Sequence, residues 1–81
     1  MQNLVLLGTS GCHLCDLAEE VLYRVQSLHP FKFIHADIID RDDWVKDYAE
    51  KIPVLLNSQG QALCWPFDDE AVMNYLKGLS S

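Results

Sequence analysis

The sequence predicts an α/β domain: a four-stranded mixed sheet with helices packed on its faces, in the order strand–helix–strand–helix–strand–strand–helix. Three observations carry this. Apolar residues run continuously or alternate in some segments and keep a three–four spacing in others. Turn and cap residues fall where one pattern gives way to the next. The first two strand segments are separated by a helical crossover, which makes them parallel and the crossover right-handed. The last two flank the loop Asn57-Ser58-Gln59-Gly60, which makes them an antiparallel hairpin.

Taken in order, Asn3 to Leu7 is a short, continuously apolar stretch suited to a strand buried on both faces. From Cys12 the period changes: Leu14, Leu17, Ala18, Val21, Leu22, Val25 and Leu28 form a helical stripe. Asp16, Glu19, Glu20 and Arg24 lie off that stripe, with Glu20 and Arg24 at favourable i, i+4 spacing. His29-Pro30 ends the helix. Phe31 to Ala36 reads as the second strand, with Phe31, Phe33 and His35 on one face. Asp40 is the expected N-cap of a short helix through Tyr48, with Ile39 and Trp44 at hydrophobic-staple spacing and Asp42 and Asp43 in its first turn. Val54 to Leu56 is the third strand and Gln61 to Trp65 the fourth. Asp68 caps the last helix, Phe67 and Val72 staple it, and Val72, Tyr75, Leu76 and Leu79 form its buried stripe. Gly78 marks its end.

Composition narrows the function classes. A chain of 81 residues forms one domain, residues 1–81, with a small core, and 49% apolar content lets it fold without staples. The net charge of −6 argues against a nucleic-acid surface and against anionic membranes. No apolar run approaches the roughly 20 residues that span a bilayer. Met1-Gln2-Asn3 has no positive charge, and the run after it is too short for a signal peptide, so a cytoplasmic location is expected. Three cysteines make a poor disulfide framework, and in a reducing compartment Cys-X-X-Cys points to catalysis or metal binding.

The chemistry concentrates at Cys12-His13-Leu14-Cys15, where the first strand turns through Gly8-Thr9-Ser10-Gly11 into the first helix. A thiol there sits near unpaired backbone N–H groups and the positive end of the helix dipole, and both favour thiolate. Thiolate is the nucleophile of disulfide exchange, and a second cysteine three residues on can close the disulfide. Asp16, at same-face spacing from Cys12, opposes the dipole. His13 either tunes the thiols and handles a proton or fills a variable exposed position. Cys64 is either a small buried hydrophobe or a regulatory thiol. His29 and His35 read as structural or exposed, without metal-ligand spacing to the cysteines.

This element order, with Cys-X-X-Cys opening the first helix, resembles the thioredoxin fold and, within it, the small glutaredoxin-like proteins. Gly8-Thr9-Ser10-Gly11-Cys12-His13-Leu14-Cys15 is similar to that family's loop and helix start. Lys51-Ile52-Pro53-Val54-Leu55 is similar to its cis-proline segment. The resemblance implies a thiol–disulfide oxidoreductase, with Cys12 the nucleophile and Cys15 the more buried resolving thiol. Pro53 would be cis beside Cys12, and the backbone of Ile52 would pair with substrate. The family's substrate groove falls at Trp65, Phe67 and Asp68, and His13 is a further candidate substrate contact; Trp65 and Phe67 divide between groove and core.

The implied substrates are a disulfide-bearing protein or a small thiol, with glutathione or a thioredoxin-type protein as reductant, no tightly bound cofactor, and a monomer by default. Three departures weigh against glutathione. His13 and Leu14 replace the family's proline and aromatic, and Thr9 stands near the place of its lysine. Trp65-Pro66-Phe67 replaces the glycine pair that lets the tripeptide approach. Two rival classes use the same cysteines. A soft-metal carrier of the copper-chaperone type orders its later elements differently, and a structural zinc site lacks a second cysteine pair. A redox-idle binding module would present Asp40–Asp47 and Trp65–Phe67 but leaves the intact cysteine pair without a purpose.

Overall fold

A computed structural model describes residues 4–80. The elements are β1 (Leu4–Gly8), α1 (His13–Leu28), β2 (Phe33–Asp37), a 3-10 turn (Ile38–Asp40), α2 (Asp42–Tyr48), β3 (Val54–Leu56), β4 (Ala62–Cys64) and α3 (Asp69–Ser80). Asn3, expected to begin the first strand, and the side chain of Leu79, expected on the α3 stripe, lie outside the described residues.

The sheet order is β2-β1-β3-β4. β1 runs parallel to β2, with Leu6 opposite His35 and Gly8 opposite Asp37, and antiparallel to β3, with Leu7 opposite Val54. β3 and β4 form the expected hairpin. β1 is therefore an inner strand, and its alternation feeds two cores. Leu4 and Leu6 join Ala18, Val21, Leu22 and Val25 of α1, together with Leu55, Phe67 and Val72. On the opposite face Leu7, Ile38 and Val54 form a smaller cluster against Trp44 and Tyr48 of α2. Each fully buried Leu or Val side chain here, such as Leu7, Leu22 or Val72, is worth about 1.5–3 kcal/mol of transfer free energy.

The ends of the helices differ in how far local sequence decides them. α3 begins as expected: Asp68 Oδ1 accepts the Ala71 N–H (2.8 Å), and Phe67 and Val72 are both buried in the larger core. Asp40, by contrast, is not the N-cap of α2. Asp37 caps the intervening 3-10 turn through the Ile39 N–H (3.1 Å). Arg41 then takes the α2 N-cap position without a side-chain cap bond. The turn buries Ile38 and leaves Ile39 exposed, so the partner of Trp44 is the guanidinium of Arg41, 5.0 Å from the ring centre. Gly78 lies inside α3, which runs on to Ser80. Arg24 makes its bonds to Asp69 of α3 (2.9 and 3.1 Å), not to Glu20, and clamps α1 to α3. The Arg24 guanidinium holds the Asp69 carboxyl below the usual carboxylate range.

Phe31, Phe33 and His35 do share a face. Their rings form a row with neighbouring centroids 5.9 and 5.4 Å apart, and Tyr23 of α1 packs against Phe33 at 5.7 Å.

Candidate active site

β1 delivers the chain to the site at Gly8. The turn that follows is closed by the Cys12 N–H donating to the Thr9 carbonyl (3.3 Å), and Gly11 adopts φ +75°, a left-handed conformation that glycine takes without steric cost. Cys12 has extended backbone angles and occupies the N-cap of α1. Its Sγ accepts the N–H of Cys15 at 3.2 Å. The sulfur thus stands where a capping oxygen usually stands, satisfying one of the helix's orphan donors at the positive end of its dipole. A thiolate is the better acceptor there, so the same geometry that caps the helix favours the nucleophilic form.

Cys12 and Cys15 are joined as a disulfide. Their Cα atoms are 5.3 Å apart, inside the ordinary disulfide range. Cys15 Sγ lies against β1: a Cβ built on Gly8 would come within 2.7 Å of it. Gly8 is the residue that makes room for the second sulfur.

A cleft of about 450 Å³ opens beside the pair. Its walls come from the Thr9–Gly11 turn, from α1 through Cys12, Cys15 and Glu19, and from β2 through His35 and Asp37. His13 and Asp16, both exposed, lie at its rim. Glu19 Oε1 and His35 Nε2 are in direct polar contact. Asp37 Oδ2 faces the Thr9 hydroxyl at 3.5 Å. Glu19, His35, Asp37 and Thr9 were not singled out from sequence as site residues. Glu19 is one helical turn beyond Cys15, which is a local signal. His35 reaches the site only because β2 pairs beside β1, which no spacing along the chain reveals.

The remaining expected site residues lie along the β3–β4 side of β1, on both faces of the sheet. The Ile52–Pro53 bond is cis, and Pro53 is fully buried. The Pro53 carbonyl accepts the Trp65 N–H (3.0 Å), which joins the two segments across the hairpin. Trp65 is half-buried and meets Phe67 edge-on at 5.1 Å. Phe67 is only 6% exposed and belongs to the larger core. Ile52 packs toward the smaller core, on the opposite face from Trp65. Asp68 is exposed and caps α3. A second cis bond, Trp65–Pro66, was not foreseen. None of these five expected residues lines the cleft. Cys64 is a free, half-buried thiol packed against the smaller core. Among the described residues no three His, Cys, Asp or Glu side chains converge as a metal set, and no helix is long and apolar enough to cross a membrane.

Comparison with known proteins places this geometry. A family model described as "Glutaredoxin-like domain (DUF836)" matches residues 3–77. The chain belongs to this glutaredoxin-like family. Among solved structures it is similar to the target protein XcR50 from X. campestris: 32% identity over 93% of this chain and 96% of that one, with a TM-score of 0.79 in its X-ray structure. Protein Ne2328 from Nitrosomonas europaea, solved by solution NMR, shows 26% identity over 91% of this chain and 89% of its own, with a TM-score of 0.78. No curated protein matches the chain. The glutaredoxin-like chain therefore has the thioredoxin-like α/β fold, with a Cys12–Cys15 pair at disulfide distance at the start of its first helix.

Proposed function

We propose that this glutaredoxin-like domain is a thiol–disulfide oxidoreductase working through Cys12 and Cys15. The observation that carries the reading is the bond from the Cys15 N–H to Cys12 Sγ, which puts one sulfur of a closable pair at a helix N-terminus. In the reductive direction the Cys12 thiolate attacks one sulfur of a substrate disulfide. The substrate S–S bond breaks, a mixed disulfide forms on Cys12, and the first substrate thiol leaves. Cys15 then gives up its proton and attacks Cys12 Sγ. The mixed disulfide breaks, the proton goes to the second departing thiolate, and two electrons have passed from the cysteine pair to the substrate.

Pro53 and Ile52 are the substrate-positioning residues of this reading. The Ile52 N–H is committed to the Tyr48 carbonyl (3.1 Å), so a substrate chain is gripped there through the Ile52 carbonyl. Trp65, held edge-on by Phe67, supplies apolar contact beyond the end of β4. The substrate is a disulfide-bearing protein or small thiol. A thioredoxin-type reductant suits the site better than glutathione, because Trp65-Pro66-Phe67 occupies the place of the family's glycine pair.

Thiol counting tests this. Oxidation in a defined thiol–disulfide buffer removes the Cys12 and Cys15 thiols together and leaves Cys64 titratable. In the reduced protein Cys12 is alkylated first at neutral pH. Cys15→Ser accumulates a mixed disulfide on Cys12, and Cys12→Ser forms none. A Cys12 thiol that resists alkylation at neutral pH overturns the reading.

A further inference from the structure

The cleft beside the disulfide lies on the β2 side of β1, whereas Pro53 and Trp65 lie on its β3–β4 side. The disulfide loop follows the inner strand β1, between these two sides of the sheet. The cleft has a one-sided charge. Asp16, Glu19 and Asp37 bring three carboxylates to it, while none of the six lysines and arginines of the chain contributes to its walls. Arg24 and Arg41, the two arginines, are held elsewhere by Asp69 and Asp43. The basic groups present are two imidazoles, His13 at the rim and His35 already paired with Glu19.

Resting on the dithiol reading above, we propose that this cleft is a charge-reading subsite. The disulfides exchanged best at Cys12 are then those that carry a positive group, a lysine, an arginine or an ammonium, close to their own sulfurs. The physical reason is field focusing. Carboxylates of one sign in a concave wall raise the local concentration of cationic reactants and lower that of anionic ones. The cleft is large enough to take a side chain of that size, and Cys12 and Cys15 form part of its wall, so the charge acts at the reacting atoms. The same charge works against glutathione disulfide, which is net anionic. It does so independently of whether Trp65-Pro66-Phe67 narrows the other groove.

The test is single-turnover oxidation of the pre-reduced protein by three small disulfides, followed by thiol counting. They are cationic cystamine, neutral hydroxyethyl disulfide and anionic glutathione disulfide. Each rate is divided by that of dithiothreitol with the same probe, which removes differences in leaving-thiol reactivity. The measurements are made at about pH 8, above the ordinary titration range of imidazole. The expected order is cystamine, then hydroxyethyl disulfide, then glutathione disulfide, with about tenfold or more between the extremes at low salt. Raising salt from about 0.01 M to about 1 M shortens the Debye length from roughly 30 Å to about 3 Å, and the spread should contract toward unity. Asp16→Asn with Glu19→Gln should flatten the order, while Glu70→Gln, exposed on α3 and outside the cleft wall, should leave it intact. Equal rates for all three probes, or a spread indifferent to salt and to the double variant, overturn the charge-reading subsite while leaving the dithiol reading standing. Failure to oxidise with any probe overturns both.

Discussion

Replacing Gly8 with alanine sets a methyl group against the sulfur of Cys15. The new Cβ would lie 2.7 Å from Sγ and 3.5 Å from the Cys15 Cβ, so the clash falls on the sulfur alone. Such overpacking costs about 1–3 kcal/mol. The two redox forms carry that burden differently. In the dithiol, Cys15 can rotate about χ1 and move Sγ off the strand. In the disulfide, Sγ is bonded to Cys12, and the strain has to be absorbed by β1 or by the helix start. Gly8→Ala therefore destabilises the oxidised form relative to the reduced one. At about 30 mV per 1.4 kcal/mol, the pair should become more oxidising by roughly 20–60 mV. The assay is equilibration with graded dithiol–disulfide buffers, acid quenching and alkylation, with the oxidised fraction read by mass. Thermal melts of both forms close the cycle, since the oxidised form should lose more stability than the reduced one. An unchanged or lowered potential in a folded Gly8→Ala protein, or equal loss in both forms, refutes the idea that Gly8 exists to seat this sulfur.

Two further perturbations probe the frame around the site. Asp68→Ala removes the N-cap of α3 and should destabilise the protein by about 1 kcal/mol, lowering the melting temperature by roughly 4–8 °C, with Asp68→Asn recovering most of it; no loss on Asp68→Ala removes the capping role. The Tyr75 hydroxyl donates to the Gln61 carbonyl (2.8 Å), and burial pushes its phenol up from 10.0 to about 12. Because the folded value is the higher one, this tie is intact below pH 10 and is lost as pH rises through about 12. A phenolate absorbance titration should show a late phase near pH 12 that Tyr75→Phe abolishes; a wild-type titration with no phase that late refutes it.

What was legible along the chain was whatever depends on near neighbours. The α3 start is decided within six residues: Asp68 caps, and Phe67 and Val72 close over it. The strand Val54–Leu56 is fenced by Pro53 and the Asn57–Gly60 loop. The start of α2 was misplaced because Ile38 and Ile39 are equivalent as residues. Which of them turns inward is settled by the smaller core built on Leu7 and Val54, and the 3-10 turn follows from that choice. Glu20 and Arg24 have the right helical spacing, yet Arg24 is claimed by Asp69 from another helix. At the site, the sulfur pair and Pro53 could be read from motifs. The cleft could not, because Glu19, His35 and Asp37 come together only through the pairing of β1 with β2.

The capping bond at Cys12 also governs how this protein can be disarmed cleanly. Cys12, the nucleophile of the proposed reaction, also closes the end of α1, and the group it closes is the amide of Cys15, its proposed resolving partner. Removing the sulfur without a replacement acceptor takes away chemistry and helix terminus in one stroke, so an inactive alanine protein would confound lost reactivity with a loosened first turn. Serine at that position keeps an oxygen where the sulfur stood, and serine is among the preferred N-cap residues. In this fold the conservative way to silence Cys12 is the one that leaves the helix start under Cys15 undisturbed.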